Sequence, residues 1–402
     1  MKIGIDVVEV SRIRSAVEKN SKFLKRVFTE NEIKYFSGTV MKWESVAGGF
    51  AAKEAYSKYV GTGIGELSLC DIEVCHDEKG APYLMIKGKK SKASLSITHS
   101  GNIAVATVCG KGERSLKQSK ELSSLLPKRA KTAHKGQCGK VFILAGSKGM
   151  TGAACLCTMG ALRAGAGLVT VGTSDSEQGV LACKLTEAMT VGYSSTSGCV
   201  GLFDKEKIKE KAEKSDVFIV GPGMGRETET KELLLWLIKN VETTMVVDAD
   251  GLNALSENID VLWERKGQTV LTPHEGEMAL LCGKSVEDIN KDRENFALSL
   301  AKKFGVTVVL KGFKTVVCNE KETFVNPTGN PGMATGGSGD VLSGVIGSLI
   351  AQGLSSYNGA VLGVYLHGLS GDLAKEDKGE MGLIASDIAE NLPYAIKELS
   401  GE

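Results

Sequence analysis

The stretch GNPGMATGGSGDVLSGVIGSLIAQG, residues 329–353, decides the fold of the larger part of this 402-residue chain. Gly336, Gly337 and Gly339 come directly before a strongly apolar run that has the length of a helix and begins near Asp340. Glycine lets backbone N–H groups approach a phosphate closely, and the N-terminus of a helix adds positive potential. The stretch therefore predicts an anion site at the start of a buried helix.

Asp340 does not fit phosphate binding, because a carboxylate repels an anion. Two interpretations stay open from the pattern alone. Asp340 is either an acid in the first turn of the helix, which the helix dipole favours, or a general base that activates a hydroxyl for phosphoryl transfer. The chain has neither GxxxxGK[ST] nor GxGxxG at this place, so the sequence supports neither a P-loop nor a dinucleotide Rossmann fingerprint.

Short apolar runs bounded by glycine recur around this stretch, and helical segments such as 152–164 and 340–352 lie between them. Strands that alternate with helices predict an α/β domain with a mainly parallel sheet, and such sheets bind ligands beyond the carboxyl ends of their strands. The predicted strands include Val141–Leu144, Leu168–Val171, Val217–Val220, Met245–Val247, Val270–Leu271 and Val306–Leu310.

Several polar residues follow these strands directly. Asp248 and Asp250 are available to orient a substrate or a metal, Lys311 could meet nucleotide phosphates, and His274 falls on the same predicted edge. The glycine loops 145–154 and 221–225 are equally well explained as tight turns, and His367 is expected to pack internally.

The N-terminal part has a different pattern of predicted helices and strands. A polar, basic segment separates the two parts, and we place the domains at 1–112 and 126–402 with a linker at 113–125. The predicted fold of the first domain is α+β. Its predicted elements are a strand at 2–10 with Ile3, Ile5 and Val7 on one side, helices at 11–27 and 43–60, and strands at 69–75, 82–87, 93–98 and 103–109, with a turn at Gly80.

Two carboxylates and a lysine carry the chemistry of the first domain. Asp6 follows the start of a strand, and Glu54 and Lys58 share one helix face. A carboxylate pair beside a lysine suits Mg²⁺-assisted transfer, because Mg²⁺ takes one or two carboxylates together with phosphate oxygens. A turn residue at Asp6 and a surface ion pair between Glu54 and Lys58 remain alternatives. The loop 61–63 is either a helix C-cap or a phosphate-binding loop, and His99 either contacts phosphate or satisfies a local hydrogen bond.

Charge is distributed unevenly between the two parts, although the formal net charge is only +1. Residues 1–115 hold 18 Lys and Arg against 13 Asp and Glu, and residues 11–27 carry Arg12, Arg14, Lys19, Lys22, Lys25 and Arg26 against Glu18 alone. This basic segment is either a solvated helix face or a docking surface for an acidic macromolecule.

Composition excludes several classes of protein. With 42% hydrophobic and 24% charged residues the chain is neither disordered nor collagen-like, and it has no apolar run of membrane-spanning length. Its ten cysteines include no CxxC pair, so we expect reduced thiols, no zinc site and a cytoplasmic location. We expect no membrane association and no nucleic-acid partner.

Residues 1–110 resemble the holo-[acyl-carrier-protein] synthases, the small type of 4′-phosphopantetheinyl transferase. The matching stretches are GIDVVEVSRI, VFTENE, FAAKEAYSKYVGTG, DIEV, GAPY and SLSITHS, in this order. The resemblance implies transfer of phosphopantetheine from coenzyme A to a serine of apo acyl carrier protein. It also implies a homotrimer with its sites between subunits.

The same resemblance implies roles for single residues. Asp6 and Glu54 would be the Mg²⁺ ligands, Lys58 would act in catalysis by neutralising the pyrophosphate, and His99 would contact the phosphates of coenzyme A. The basic segment would bind the acidic carrier protein. Its docking residues would be Arg14, Lys22 and Arg26.

Residues from about 120 to 402 resemble the ADP/ATP-dependent NAD(P)H-hydrate dehydratases, which have a ribokinase-like fold. The matching stretches are HKGQCGKVFILAGSKGMTGAA, ALRAGAGLVTV, VGPGMG, VDADGLNAL, LTPHEGEM, VLKGFKTVV, NPTGNPGMATGGSGDVLSG and YLHGLSGD. The family uses a nucleotide phosphate to activate the ring hydroxyl of a hydrated nicotinamide cofactor, and then eliminates it to restore NADH or NADPH. Bacterial-type members use ADP and yield AMP.

By this resemblance Asp340 would be the catalytic base and would also contact the hydrate. Ala153, Gly223 and His274 would line the hydrate pocket. The nucleotide would be held by Lys311, Gly312, Phe313, Lys314, Thr315 and Gly339. One departure is Glu275, because a proline commonly follows the histidine in this family.

Four hypotheses about the function of the whole chain follow. The first is a bifunctional enzyme with two independent sites, and the second is one active module beside a decayed one. The third is a ribokinase-like kinase for a sugar or a vitamin in the second part, since the fold supports that chemistry as well. The fourth is a non-catalytic scaffold that binds acidic carrier protein. Because all the named site residues are present in both parts, the first hypothesis is favoured.

Overall fold

The computed structural model describes residues 2–20, 22–37, 41–60, 68–110 and 121–401, and the chain divides into two compact units at 1–121 and 122–402. The loop 61–63 and residues 113–120 of the expected linker lie outside the described residues. Among the described residues, no helix is both long and apolar enough to cross a membrane.

The described part of the first unit is α+β, as predicted, with two antiparallel sheets in the strand orders β1-β6-β5 and β2-β3-β4. Its elements are β1 (Lys2–Glu9), α1 (Val10–Lys19), α2 (Phe23–Val27), α3 (Glu30–Phe36), α4 (Trp43–Val60), a 3₁₀ turn (Leu69–Asp71), β2 (Ile72–His76), β3 (Pro82–Ile86), β4 (Lys89–Lys90), β5 (Ser94–Ser100) and β6 (Ile103–Gly110).

Two predicted elements of this unit need correction. The single helix expected at 11–27 is two helices, because Asn20 has extended backbone angles and ends α1, and its side chain accepts a hydrogen bond from the Lys22 backbone N–H at 3.0 Å. The strand expected to begin at residue 69 begins at Ile72, since residues 69–71 form a 3₁₀ turn.

Helix α4 lies directly against β1, and Gly4 makes this close approach possible. A Cβ at Gly4 would lie 1.9 Å from the carbonyl oxygen of Ala55 and 2.5 Å from the backbone nitrogen of Tyr59. Ala55 and the sheet residues Ala104 and Ala106 are fully buried. The small residues thus set the distance at which side chains from β1 and α4 meet.

The opposite face of β1 is apolar and open. Ile3, Ile5 and Val7 alternate with the residues that face α4, and their exposed fractions are 52%, 51% and 59%. Ile103 on the neighbouring strand is also exposed. We call these four residues the outer face.

The described residues of the second unit form a nine-stranded sheet in the order β17-β16-β15-β14-β13-β12-β7-β8-β9. The strands from β15 to β9 are parallel, and β16 and β17 are antiparallel, so the predicted mainly parallel α/β architecture is confirmed. The strands of this sheet are β7 (Lys140–Leu144), β8 (Leu168–Ser174), β9 (Met189–Tyr193), β12 (Val217–Val220), β13 (Thr244–Val247), β14 (Thr269–Leu271), β15 (Thr307–Leu310), β16 (Val316–Cys318) and β17 (Thr323–Val325). Between β9 and β12, β10 (Ser195–Thr196) and β11 (Cys199–Val200) form a separate antiparallel pair.

Helices cover this sheet, and central strands such as β12 are buried along their whole length. The helices are α5 (Thr151–Arg163), α6 (Asp175–Lys184), α7 (Lys205–Glu213), α8 (Thr228–Asn240), α9 (Asp250–Glu257), α10 (Val261–Glu264), α11 (Glu275–Cys282), α12 (Val286–Lys291), α13 (Arg293–Phe304), α14 (Ser338–Ala351), α15 (Ser356–Gly382) and α16 (Ala385–Ser400).

Glycines in the deciding stretch serve packing as well as the loop before the helix. A Cβ at Gly344 of α14 would lie 1.9 Å from the carbonyl oxygen of Cys157 in α5, and a Cβ at Gly160 would lie 2.3 Å from the carbonyl oxygen of Val341. The two helices therefore touch backbone to backbone. This contact fixes the N-terminal half of α14 against α5.

Candidate active sites

A buried ion pair forms the centre of the site in the second unit. Asp248 follows β13 and Lys311 follows β15, and the Lys311 Nζ lies 2.7 Å from Asp248 Oδ1. Ser343 of α14 donates a hydrogen bond to the other carboxylate oxygen, Asp248 Oδ2, at 2.6 Å. Asp248 is 1% exposed and the Lys311 side chain 18%. These contacts join the ends of β13 and β15 to helix α14.

Asp340 stands in the first turn of α14, beside this ion pair. Burial, together with the charge of Asp248, raises the pKa of Asp340 to about 7, although Lys311 acts in the opposite direction. Burial works to lower the pKa of Lys311, but the charges of Asp248 and Glu277 outweigh it and the pKa is raised. A permanent cation thus lies near a carboxylate that can exchange a proton at neutral pH.

Gly339 is adjacent to this lysine. A Cβ at Gly339 would lie 3.2 Å from the Lys311 Nζ, so glycine leaves the ammonium group free space at the start of the helix. Gly337, the N-cap, has φ +90° and a Cβ there would clash with Leu156. His367 is buried, as expected, and its Nε2 lies 2.9 Å from the Ser338 carbonyl oxygen. Burial lowers the pKa of His367 to about 4, so a neutral ring holds this loop.

His274 is the N-cap of α11. Its Nδ1 accepts hydrogen bonds from the N–H groups of Gly276 and Glu277 at 3.0 and 3.2 Å, and Glu277 accepts one from the His274 N–H at 2.8 Å. This reciprocal arrangement is a capping box with a histidine in the place of serine or threonine. Burial, and next the charge of Lys311, lowers the pKa of His274. Burial raises the pKa of Glu277 to about 7.

Two glycine loops meet next to this edge of the sheet. Gly223 has φ +61°, and a Cβ there would lie 2.8 Å from the Cβ of Ala153. The Gly146 N–H donates to the Pro222 carbonyl at 2.8 Å, and Ser147 Oγ donates to the Gly223 carbonyl at 2.9 Å. The loops 145–154 and 221–225 are therefore one joined structure, and Ala153 and Gly223 line the same place.

Asp250 supports this structure from the other side. It accepts a hydrogen bond from the Gly225 N–H at 2.9 Å and lies 3.3 Å from the Nε of Arg226. Its carboxylate is thus occupied in holding the loop, whereas Asp248 takes part in the buried cluster. A cleft of about 330 Å³ opens beside this loop. Its lining residues are Arg226, Asn253, His274, Gly276, Glu277 and Leu280.

The segment Lys311–Thr315 turns sharply between β15 and β16. Gly312 has φ +138° and Lys314 has φ +54°, and Thr315 Oγ1 donates to the Gly312 carbonyl at 3.0 Å. Phe313 at the tip is 86% exposed. Sequence reasoning missed Ser343, Glu277 and Arg293 around this segment, because each acts through a neighbour rather than through a recognisable motif.

In the first unit, Lys58 crosses from α4 to β1. Its Nζ lies 2.8 Å from Asp6 Oδ1 and donates to the Ile5 carbonyl at 3.1 Å. Of the two interpretations left open for Glu54 and Lys58, the ion pair along one helix is not the contact that forms, because the Lys58 ammonium group reaches Asp6 instead. The hydrogen bond from Lys58 to Asp6 raises the pKa of the lysine.

Glu54 lies near the same aspartate. Burial, and next the charge of Asp6, raises the pKa of Glu54, although Lys58 acts against both. Two carboxylates that repel each other fit a divalent cation, whose charge removes the repulsion. Among the described residues no cluster of three or more His, Cys, Asp and Glu side chains could hold a metal, so substrate or water oxygens would complete the coordination of an ion bound here.

His99 lies on the edge strand β5 and shares the sheet face of Asp6. Along the strand pairings, Asp6 is opposite Ala106, and Val8, Ala104 and His99 form the next row. The His99 side chain is exposed. It therefore stands one row along from Asp6, within reach of a ligand larger than a single ion.

The three expected docking residues are exposed. Arg14 lies on α1, where its Nε is 2.9 Å from Glu18 Oε1 and its guanidinium is 5.7 Å from the centre of the Trp43 ring. Lys22 precedes α2 and Arg26 lies in its last turn. Both helices thus present basic side chains to solvent.

A buried ion pair in this unit also escaped sequence reasoning. Lys53 Nζ lies 2.7 Å from Glu32 Oε2, both side chains are almost fully buried, and Glu32 Oε1 accepts from the Val74 N–H at 2.9 Å. Burial lowers the pKa of Lys53. The pair ties α3, α4 and β2 together next to Glu54.

Comparisons with known proteins match each of the two units to a different protein family. Residues 141–394 match the sequence model of the NAD(P)H-hydrate dehydratase family, and residues 2–109 match that of the 4′-phosphopantetheinyl transferase superfamily. Both are enzyme families.

The chain is 43% identical over 281 residues to a bifunctional NAD(P)H-hydrate repair enzyme of Moorella thermoacetica, covering 69% of this chain and 53% of that protein. It is 36% identical over 266 residues to the ADP-dependent (S)-NAD(P)H-hydrate dehydratase of Neisseria meningitidis, covering 65% and 86%. The chain spans about half the length of the bifunctional relatives that it matches.

A solved structure, the ADP/ATP-dependent NAD(P)H-hydrate dehydratase of Bacillus subtilis co-crystallised with ATP and Mg²⁺, is similar with a TM-score of 0.60 and 27% identity. The similarity covers 70% of this chain and 97% of that structure. The second unit therefore shares the fold of that structure, as predicted for a ribokinase-like domain.

Proposed function

We propose two activities for this chain, which belongs to the NAD(P)H-hydrate dehydratase family and carries a domain of the 4′-phosphopantetheinyl transferase superfamily in its first unit. The second unit dehydrates (6S)-NADHX and NADPHX, the hydrated forms of NADH and NADPH, at the expense of ADP, and releases AMP and phosphate. The first unit transfers 4′-phosphopantetheine from coenzyme A to a serine of apo acyl carrier protein.

The observation that carries the dehydratase proposal is Asp340 beside the Asp248–Lys311 pair. In the proposed reaction the hydroxyl oxygen of the hydrated ring attacks the terminal phosphorus of ADP, and Asp340 accepts the hydroxyl proton. The new O–P bond forms as the bond to the AMP oxygen breaks, and AMP leaves with the electron pair. Lys311 offers fixed positive charge to the phosphoryl group in transit.

Elimination completes the proposed reaction. The ring C–O bond breaks, phosphate leaves with the electron pair, and the loss of a proton from the adjacent ring carbon restores the double bond of the dihydronicotinamide. The hydrate would lie against Ala153, Gly223, His274 and Asp340. The nucleotide would lie against Lys311, Gly312, Phe313, Lys314, Thr315 and Gly339.

ADP is the proposed phosphoryl donor because the Neisseria relative is named as ADP-dependent. The Bacillus relative is named as dependent on ADP or ATP, so both nucleotides belong in the test. Purified full-length chain is incubated with NADHX and either nucleotide, and NADH is followed by its absorbance. We expect NADH to appear with ADP. A stable phosphorylated acceptor without NADH would show a ribokinase-like kinase and contradict the proposal.

The transferase proposal rests on Asp6, Glu54 and Lys58. Asp6 and Glu54 would hold Mg²⁺, since the raised pKa of Glu54 reflects a carboxylate that gains from a nearby cation. When bound, Mg²⁺ supplies charge neutralisation to the pyrophosphate of coenzyme A. Lys58, whose side chain is 54% exposed, would add a second positive charge to that pyrophosphate, and His99 would contact the phosphates from the edge strand.

Mass spectrometry of apo acyl carrier protein tests this activity. Incubation with the full chain, coenzyme A and Mg²⁺ should add one phosphopantetheine group to the carrier. An unmodified carrier that still binds the chain would instead support the non-catalytic scaffold.

We also infer that the first unit assembles with further copies of itself, as a trimer. Its outer face exposes Ile3, Ile5, Val7 and Ile103, and contiguous exposed apolar residues mark interaction sites. Light scattering of wild type and of Ile5→Lys should show a trimer and a smaller species, respectively. A wild-type monomer would contradict the inference.

A further inference from the structure

Arg293, the first residue of α13, lies under the turn that carries Lys311. Its Nη2 donates hydrogen bonds to the carbonyl oxygens of Leu310 and Lys311 at 3.1 and 3.0 Å. Its Nη1 pairs with Glu275 Oε1, and its side chain is only 16% exposed. One guanidinium group thus connects the end of β15 with the segment that follows β14.

The backbone of Lys311 is held from two sides. Its N–H donates to the Pro273 carbonyl at 2.8 Å, and its own carbonyl accepts from Arg293. Because both ends of this residue are fixed, its side chain can reach Asp248 at 2.7 Å in a defined geometry. Arg293 therefore acts on Lys311 without contacting its ammonium group.

The turn beyond Lys311 depends on this support. A Cβ at Gly312 would lie 3.0 Å from both Arg293 Nη2 and Glu275 Oε1, so the ion pair packs directly against the turn. Lys314 adopts a left-handed conformation, φ +54°, which costs free energy in a residue with a side chain. A turn of this kind keeps its shape only when its base is anchored.

Glu275 fixes the orientation of Arg293. The Arg293 Nε–H is buried and finds no acceptor among the described residues, so the Nη groups alone determine where the guanidinium lies. Glu275 directly follows His274 and is the first residue of α11, so its carboxylate connects Arg293 with the start of that helix.

We propose that Arg293 is a positioning residue for the nucleotide segment Lys311–Thr315, and that Glu275 orients it and so links that segment to His274. The inference rests on the proposed function, because it takes the segment to bind ADP. Loss of either partner should move the Lys311 and Gly312 backbone away from the nucleotide phosphates. Nucleotide affinity should fall, and hydrate recognition should change little.

Isothermal calorimetry of the full chain with ADP and with ATP provides the test, because it needs no turnover. For Arg293→Lys we expect the Kd of ADP to rise about tenfold or more, since an ammonium group cannot reproduce the planar fork that donates to both carbonyl oxygens and to Glu275 at once. For Glu275→Gln and Glu275→Pro we expect a smaller rise, about threefold to tenfold. Proline is compatible with the first helical position and with the extended backbone of His274 before it.

Arg265→Lys is the matched control. Arg265 also binds backbone carbonyls, those of Ile238, Val241 and Thr243, but it lies outside the nucleotide segment. This variant should lower the melting temperature without changing the Kd of ADP. For Glu275→Gln the KM of ADP should rise while the KM of the hydrate stays within about twofold of wild type.

Three outcomes would overturn the inference. Wild-type Kd values in all three site variants would show that the ion pair does not position the segment. An equal loss of affinity in Arg265→Lys would show a general effect of destabilisation. Wild-type chain that binds neither nucleotide would overturn the proposed function itself, and the inference with it.

Discussion

The two units place a lysine against an aspartate at almost the same distance, 2.8 Å for Lys58 and Asp6 and 2.7 Å for Lys311 and Asp248, but at different depths. Lys58 is 54% exposed, whereas Lys311 is 18% exposed and its partner is buried. An exposed pair is screened by water and holds its geometry weakly. A buried pair is held by further hydrogen bonds, as Ser343 shows at Asp248.

The difference also appears in the nearby carboxylates. Burial raises the pKa of the carboxyl group beside each pair, and the lysine opposes the rise in both units. The pKa of Asp340, which is more deeply buried, still reaches about 7, whereas Glu54 lies in a more open place. In the second unit, Lys311 therefore already offsets the negative charge of Asp248 before a substrate binds. The first unit leaves two carboxylates whose repulsion a bound cation would relieve. The comparison predicts a base in one unit and a metal site in the other.

The largest expected effect is that of Asp340→Asn on hydrate repair. Removal of a general base costs about 10²- to 10⁴-fold in rate, and the amide cannot accept the hydroxyl proton. NADH formation from NADHX and ADP measures the loss, and pantetheine transfer by the same preparation should stay unchanged. Near-normal repair would remove Asp340 from the role of base.

Glu54→Gln is the reciprocal change in the first unit. Loss of even an indirect support of a metal ligand costs about 10- to 100-fold, so loss of the ligand itself should cost at least 10²-fold in pantetheine transfer. The amide is close in shape to the carboxylate, and hydrate repair should not change. Equal losses of both activities would contradict two independent sites.

The pH dependence of the two activities should separate them next. Asp340 must be ionised to accept a proton, so repair should rise with pH up to about 7 and fall about tenfold for each pH unit below it. Glu277 has a raised pKa in the same range, and Glu277→Gln shows whether the inflection belongs to it. Pantetheine transfer should vary less between pH 6 and 8. A repair rate that does not change between pH 5.5 and 7.5 would contradict the assignment of Asp340.

The sequence predicts a site residue when that residue belongs to a local sequence pattern. The glycine loop before Asp340, the strand ends at Asp248 and Lys311, and the helix that carries Glu54 are all visible in short windows. The contact between Lys58 and Asp6 is not, because it depends on how closely Gly4 lets β1 approach α4. The helical period favoured Glu54 as the partner of Lys58, and tertiary packing decided otherwise.

The same limit explains the residues that sequence reasoning missed. Arg293, Ser343 and Lys53 are ordinary polar residues in helices, and their partners are far away in sequence. The break after Asn20 is another case, since a continuous charged pattern across residues 11–27 cannot show a local change to extended backbone. Long-range contacts and single backbone angles are set by the whole fold.

The smallest expected effect concerns the exposed charges of α1 and α2. Arg14 and Glu18 form an exposed pair, and such charges contribute about 0.2–1 kcal/mol each, or less than about fivefold in affinity. Arg14→Ala should therefore raise the KM for acyl carrier protein about two- to fivefold, and Glu18→Gln should lower it, because an opposing negative charge is removed.

Salt sharpens this last comparison, because screening acts on exposed charges and much less on buried ones. The Debye length is about 10 Å at 0.1 M salt and about 3 Å at 1 M, so the KM for the carrier should rise with salt, and the buried Asp248–Lys311 site should leave the KM for the hydrate nearly unchanged. Lys79→Gln, which removes the same charge from the exposed β2–β3 hairpin, should have no effect on carrier KM. If Lys79→Gln and Arg14→Ala weaken docking equally, net charge rather than the surface of α1 and α2 attracts the carrier.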